Sequence, residues 1–487
     1  MKTVYRLVLC LLIPFHFGCA QSGGSSIPEK TDYGRLFIDA FNSDSEAQQK
    51  DIIRRIFSES AQSSTGQDRL LDLIKHMHDN FAPLEFHHSE IAEFHGRPGM
   101  SDVLHIYARK KGATMWTDIQ FRVDPPPSHK LTSLGFIAEV AEPVYLPNGS
   151  IQHKETLNWL DNYIDKLQRD NVLYGSITIA IGGKVHYAKH FGFSDVNKKK
   201  AIDETTLFNL GSGNKMFTAL CIAKLAEQGK LKYDDRVTKY LSGFSDMTKA
   251  DKITIHHLLS HTSGLGEYWA GQNNQAMKKF TTIHEHLALV YQAGFQFDPG
   301  AEYGYCNSNY IVLGAIIEKV TGMDYYDFVD QTIYKPAGMS LSGSFTYGDK
   351  TKNLAMPLSR NDKDEWIEAP HGTRGSSAGG GYSKAHDILL FSKALKNNVI
   401  VKAETFSNMI ADKTTGLKDA EGYGYGFILT KGGGQKAYGH GGTSKGVNFE
   451  FRYFPSEDIT LVVFCNQDNG AYDDLKRNAI KLISGER

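Results

Sequence analysis

Residues 211–231 read GSGNKMFTALCIAKLAEQGKL. Ser212 and Lys215 stand three apart at the head of this apolar run, and no other serine in the chain has a lysine three positions on. On a helix, residues three apart share a face, so the lysine amine can reach the serine hydroxyl. A hydroxyl is a weak nucleophile until a neighbouring base takes its proton. A buried lysine can be that base, because desolvation lowers its pKa from ~10.4 by as much as ~3–5 units. An N-capping serine beside a surface lysine fits the pair taken alone equally well. The rest of the chain separates the two readings.

Working outward, a helix near Lys154–Arg169 precedes a hairpin, GSITIAI (175–181) and KVHYAKHFG (184–192), turning at Gly182-Gly183. A mainly helical middle runs from about Thr205 to Val401. Strands then return as YGYGFILT (423–430), KAYGHGG (436–442), VNFEFRYF (447–454) and ITLVVFCN (459–466), and a helix from about Tyr472 to Ser484 closes the chain. Strands at both ends of a helical insert imply one antiparallel sheet built from both termini. The expected fold class is α+β: that sheet flanked by helices, plus a mainly helical subdomain, over residues 155–487.

Upstream lies a different pattern. RLFIDAFNSDSEAQQKDIIRRIF (35–57) and QDRLLDLIKHMHDNF (67–81) carry apolar residues at helical spacing. LEFHHSEIAEFHG (84–96), DVLHIYARK (102–110), TMWTDIQFRV (114–123) and KLTSLGFIAEV (130–140) read as strands, with PPPSHK (125–130) as a turn. Helices followed by strands describe a small α+β accessory domain at 31–143, joined through EPVYLPNGS (142–150). It distantly resembles the cone-shaped fold of ketosteroid-isomerase-like proteins, through the strand pair around Trp116 and Leu131.

The first twenty residues look like an export signal: Lys2 and Arg6, then an apolar core from Leu7 to Phe17 too short to span a bilayer. Two routes are open, cleavage after Ala20 or lipid attachment at Cys19, as in bacterial lipoproteins. The tail QSGGSS within 21–30 is a typical tether and favours the lipid anchor. Cys221, Cys306 and Cys465 remain after the signal, too few and too far apart for a disulfide scaffold or a structural zinc site. A formal net charge of −1 across 487 residues gives no electrostatic case for nucleic acid.

Five stretches then join the first in a fixed order: LAEQGKLKYDDRVTKYL (225–241), ITIHHLLSHTSGL (253–265), PGAEYGYCNSNYIVLGAIIEKVTG (299–322), SSAGGGYSKAHDILLFSKAL (376–395) and GHGGTSKG (439–446). Together with FNLGSGNKMFTAL (208–220) they resemble the serine β-lactamase and penicillin-binding superfamily, in particular class C β-lactamases and related D-aminopeptidases and esterases. The resemblance covers residues 155–485, about two thirds of the chain.

The resemblance implies roles. Ser212 attacks a carbonyl and becomes an acyl-enzyme, Lys215 is the base, and Tyr305 shuttles protons toward Ser212, the hydrolytic water and the leaving group. A tyrosine near pKa ~10 needs a cationic neighbour to do so, and Lys215 is the obvious one. Asn307 holds Lys215 and offers an amide to the acyl group. The N–H groups of Ser212 and Thr443 form the oxyanion hole, and Gly441 and Gly442 admit the substrate backbone. His440 stands where drug-hydrolysing and transpeptidase branches carry lysine. Its pKa near ~6.5 gives partial positive charge at neutral pH, which moves weight toward esters, amides and D-amino-acid peptides. Cys306, between the tyrosine and asparagine, is expected to point away.

Two rivals stand beside this reading. A metal could use His256, His257 and His261, or His76-Met77-His78-Asp79, but neither spacing completes a zinc motif. A membrane-anchored, non-catalytic binder of peptidoglycan or a partner usually loses its nucleophile, lysine or tyrosine, and this chain keeps all three. The expectation is therefore an exported serine hydrolase, periplasmic or lipid-anchored, acting on a small-molecule or peptide amide or ester: a D-amino-acid peptide, a β-lactam or a carboxylic ester. D,D-peptidase or β-lactamase activity is what the resemblance implies most directly, and His440 makes esterase or amidase activity at least its equal. The expected enzyme requires no cofactor or metal, and touches a membrane only through an anchor at Cys19.

Overall fold

The computed structural model describes residues 32–59, 62, 67–92, 103–123, 131–197, 199–269, 279–344, 346, 353–361, 365–372, 374–417, 422–432 and 435–485. The expected signal (1–20), the tether (21–30) and the PPPSHK turn lie outside these residues. Contacts group the chain into two compact units, one of residues up to Tyr145 with Asn469–Leu475, the other of Leu146–Asp468 with Lys476 onward.

The first unit begins with helices α1 (Asp32–Phe41), α2 (Glu46–Ile56) and α3 (Gln67–Phe81). The apolar periodicity of 35–57 is interrupted at Asn42–Ser45, where short polar side chains compete for backbone hydrogen bonds, so one expected helical run becomes two. Strands β1 (Leu84–Ala92), β2 (Val103–Lys110), β3 (Trp116–Val123) and β4 (Leu131–Val140) form an antiparallel meander. Strand alternation puts Leu104, Ile106 and Ala108 of β2 and Ile119 and Phe121 of β3 into one core with Phe37, Phe41, Ile53 and Ile74. Phe121 meets the rings of Phe37 and Phe57 edge-on at 4.9 and 5.8 Å.

The second unit opens with α4 (Lys154–Arg169) and the hairpin β5 (Gly175–Ile181) and β6 (Lys184–Phe191). A short strand β7 (Phe208–Asn209) leads into helix α5 (Asn214–Glu227), followed by α6 (Ile255–Leu259) and α7 (Asn307–Thr321). Strand β8 (Tyr382–Ser383), helix α8 (Ala385–Lys396) and strands β9 (Ile428–Gly432), β10 (Gln435–Ser444), β11 (Val447–Phe454) and β12 (Ile459–Cys465) follow, then helix α9 (Ala471–Ser484), whose residues to Leu475 group with the first unit. Among the described residues six strands form one antiparallel sheet in the order β9-β10-β11-β12-β5-β6. The two ends of the insert meet where β12 pairs with β5, Val462 opposite Thr178.

Helix α5 is buried nearly all round, as its unbroken apolar run requires. It ends where Gly229 turns left-handed (φ 68°), its N–H bonded to the carbonyl of Ala226 and that of Lys230 to the carbonyl of Leu225. The expected strand YGYGFILT forms only from Ile428. Gly426 has φ +78°, and a Cβ there would sit 2.5 Å from that of Ala219. The chain therefore turns against α5 before it can extend.

Candidate active site

Ser212 sits in the one-turn 3-10 segment Gly211–Gly213 that starts α5. The segment SSAGGG (376–381) holds this turn in place. Leu210 N–H donates to the carbonyl of Gly381 (2.7 Å) and Gly380 N–H to that of Gly211 (3.0 Å). Three side chains of α5 then strap the same segment: Asn214 Nδ2 donates to Ser376 O at 2.8 Å, Lys215 Nζ to Ala378 O at 2.6 Å, and Thr218 Oγ1 to Ser377 O at 2.7 Å. Strand β10 closes on the turn from the other side. A Cβ at Gly442 would lie 2.1 Å from Leu210 O and 2.7 Å from Ser212 N, so glycine is required there. This contact brings the backbone beside Thr443 against that of Ser212.

Lys215 is fully buried. Its Nζ lies 3.1 Å from Ser212 Oγ, 2.7 Å from Asn307 Oδ1 and 2.6 Å from Ala378 O. Desolvation pushes its pKa down to about 7, opposed by the charge of Glu267. An uncharged amine fits these three partners: two N–H groups donate to the two carbonyl oxygens, and the lone pair faces the serine hydroxyl.

Tyr305 lies over the lysine, with Nζ 5.0 Å from its ring centre. It keeps 41% of its surface open. Crowding nonetheless raises its phenol above the ordinary range, and a hydrogen bond with Ser212 offsets this only in part. The charge of Glu267 raises it further, and the lowering expected from Lys215 does not appear among its causes. Between the two groups, the lysine is the stronger candidate for taking the serine proton.

His261 carries the tyrosine ring. The two rings are 4.3 Å apart, and His261 adopts φ 59°, a left-handed conformation rare outside glycine. Its Nδ1 accepts from Cys306 N–H (3.1 Å) and Asn309 Nδ2 (3.2 Å), which places the proton on Nε2. His256 and His257 are likewise engaged, His256 Nδ1 with Tyr425 Oη at 2.7 Å and His257 Nδ1 with the backbone N–H of Thr254 at 3.2 Å. No group of three or more metal-ligating side chains occurs among the described residues, and His76, Met77, His78 and Asp79 all lie on α3. The Cys306 Sγ is turned to the carbonyl of Gly266 at 3.5 Å, and burial pushes the thiol up to about 12.

His440 departs from the sequence expectation of partial charge. It is buried, with Nδ1–H donating to the carbonyl of Gly441 and Nε2 accepting from the hydroxyl of Tyr423 at 3.0 Å. Desolvation, with Lys215 nearby, pushes its pKa down to about 3, so it is uncharged at neutral pH. Asn307 turns only one end of its amide toward the lysine; its Nδ2 reaches Glu267 Oε2 at 3.1 Å. Sequence reasoning passed over Glu267 and Tyr423. An acid isolated in the apolar stretch GLGEYW (264–269) was the available signal for the first; Tyr423 had none beyond an aromatic in an aromatic-rich strand.

A six-stranded antiparallel sheet, a buried helix headed by Ser-x-x-Lys, Tyr-x-Asn at the start of a second helix and His-Gly-Gly on a strand define the serine β-lactamase and penicillin-binding class. The family model described as Beta-lactamase matches residues 160–484, and the chain belongs to that family. Penicillin-binding protein 4* of Bacillus subtilis is 35% identical over 185 residues, which are 37% of this chain and 40% of that protein. The chain thus spans less than half the length of this curated relative. The octameric penicillin-binding protein homologue from Pyrococcus abyssi superposes with a TM-score of 0.61 at 29% identity, covering 68% of this chain and 78% of that one. The D-amino acid amidase from Ochrobactrum anthropi SV3 shares the fold, with a TM-score of 0.57 at 22% identity over 67% of this chain and 99% of its own.

Proposed function

We propose that this chain is an exported serine hydrolase that forms an acyl-enzyme on Ser212. One observation carries the reading: a fully buried lysine, held near pKa 7 by desolvation, with Nζ 3.1 Å from the Ser212 hydroxyl. At neutral pH about half of such a lysine is free amine and can accept a proton. As Ser212 Oγ attacks the substrate carbonyl carbon, its proton passes to Lys215 Nζ. The oxyanion forms against the N–H groups of Ser212 and Thr443, where the start of α5 favours negative charge. Collapse breaks the bond to the leaving group, which takes the proton from Lys215 through the Tyr305 hydroxyl. Water then attacks the ester by the same route in reverse, releasing the acid and freeing Ser212. Tyr305 works here as a phenol throughout, a donor and relay rather than a phenolate base. No step requires a cofactor or a metal.

The substrate class follows from His440. An uncharged imidazole tied to Tyr423 offers no cation to a substrate carboxylate. We therefore place simple amides and esters, including D-amino-acid amides, ahead of penicillins and of peptides ending in a free carboxylate. Residues 31–143 are proposed as an accessory domain, and the start of the chain as an export signal processed either by lipid attachment at Cys19, which the tail QSGGSS favours, or by cleavage after Ala20.

The test is kcat/KM for three substrates: a D-phenylalanine amide, a short-chain p-nitrophenyl ester and a penicillin. The reading expects the ester and amide to be turned over and the penicillin to be at least about tenfold poorer, the weight of one lost ion contact near 1.4 kcal/mol. Preference for the penicillin would overturn the ranking.

A further inference from the structure

Glu267 belongs to none of the residues that perform the steps above, yet its carboxylate is built into the site. Oε2 accepts from the backbone N–H of Asn307 at 2.8 Å and from the side-chain Nδ2 of Asn307 at 3.1 Å. Helix α7 begins after Cys306 without a side-chain cap of its own. The carboxylate supplies that cap from another part of the chain, where the helix dipole favours negative charge.

The second contact does more than cap. A carboxylate oxygen only accepts, so it fixes the NH2 end of the Asn307 amide toward Glu267. The amide oxygen must then face Lys215 Nζ, at 2.7 Å. Reversing the amide would set its NH2 against the lysine N–H groups and its oxygen against the carboxylate, losing both bonds. The other carboxylate oxygen, Oε1, is buried with no hydrogen-bond partner among the described residues. A buried, unbonded carboxylate oxygen is costly, and capping alone does not require one.

We propose, building on the acyl-enzyme reading, that Glu267 is a positioning residue for Lys215. It orients the asparagine that holds the amine and supplies the negative charge that opposes the amine's desolvation. Apart from one ion pair, the other titratable groups around the lysine are uncharged at neutral pH. These are Cys306, just before α7 and pushed up to about 12, and Tyr310 on α7, raised by burial. Tyr305, just before α7, and Tyr268, next to Glu267, are also raised by burial. His261, after α6, is held well below its ordinary value, and His440 on β10 is pushed to about 3. On β11, Glu450 and Arg452 are paired with each other. The segment 376–378 presents serine hydroxyls and backbone carbonyls.

The experiment is the second-order rate of covalent labelling by a fluorophosphonate from pH 5 to 9, in wild type, Glu267→Gln and Glu267→Asp. Glutamine keeps an acceptor for the Asn307 N–H and removes the charge. Its half-rise point is expected to move down by about one pH unit, the effect of losing one nearby opposite charge. Aspartate draws the charge back by one methylene and is expected to shift the point in the same direction by less. A slower rate with an unmoved half-rise point would reduce Glu267 to a helix cap and overturn the proposal. Should the glutamine variant not fold, the aspartate variant decides by the same criterion. Absence of labelling on wild-type Ser212 overturns the acyl-enzyme reading itself, a separate outcome.

Discussion

Lys215 has three hydrogen-bond partners and no exposure, so its proton affinity reports on its surroundings more than on lysine chemistry. The folded-state pKa near 7 against an ordinary 10.5 has a consequence for stability. Between those values the unfolded chain binds a proton that the folded chain does not, so stability rises with pH across that window. Below pH 7 both states are protonated and this contribution is flat. Lys215→Met is expected to abolish labelling at Ser212 and to lack this rise. In urea denaturation, wild type is therefore expected to gain on the variant between pH 7 and pH 9.5. A parallel pH dependence in the two proteins would place the lysine charge elsewhere than in this desolvated pocket. His440 has the same sign at acid pH: the fold loses stability as pH falls from 6.5 toward 3, because only the unfolded histidine takes up a proton.

At the level of elements, the nucleophile is held between two backbones rather than by its own helix. The segment 376–381 and strand β10 both close on the turn at Gly211–Gly213. Gly442→Ala puts a methyl group into Leu210 O and Ser212 N. It is expected to cost about 1–3 kcal/mol by overpacking and to slow labelling by about 10²-fold through displacement of Ser212. Thermal denaturation and labelling rate measured together check both; an unaffected rate would mean that β10 does not define the serine position. Much of this arrangement was legible in the chain. Helix α4 and the strands β5, β6, β11 and β12 fall where period and turn residues put them, because each has a simple apolar pattern and clear punctuation. The start of β9 was not legible, since Gly426 serves a contact with α5 that is distant in sequence. Ser212, Lys215, Tyr305 and Asn307 could be read as motifs. Glu267 could not, because its partner Asn307 lies forty residues away and only folding joins them.

For the molecule as a whole, stability rests on its cores and on no covalent cross-link among the described residues. Cys221 and Cys306 are free thiols, and all three of Cys221, Cys306 and Cys465 are buried. Burial raises the thiols of Cys221 and Cys306, which keeps them in the unreactive protonated form. A thiol reagent is expected to modify these three cysteines only after denaturation, and a reductant to leave Tm unchanged. Rapid modification in the native state would place a cysteine outside the core described here. No helix among the described residues is long and apolar enough to cross a membrane. Whether Ser212 is the activated nucleophile that carries the acyl group is decided by intact-mass spectrometry after incubation with a fluorophosphonate. One adduct is expected on wild type and none on Ser212→Ala. An unlabelled, folded wild-type protein, or an adduct that survives in Ser212→Ala, would contradict that role.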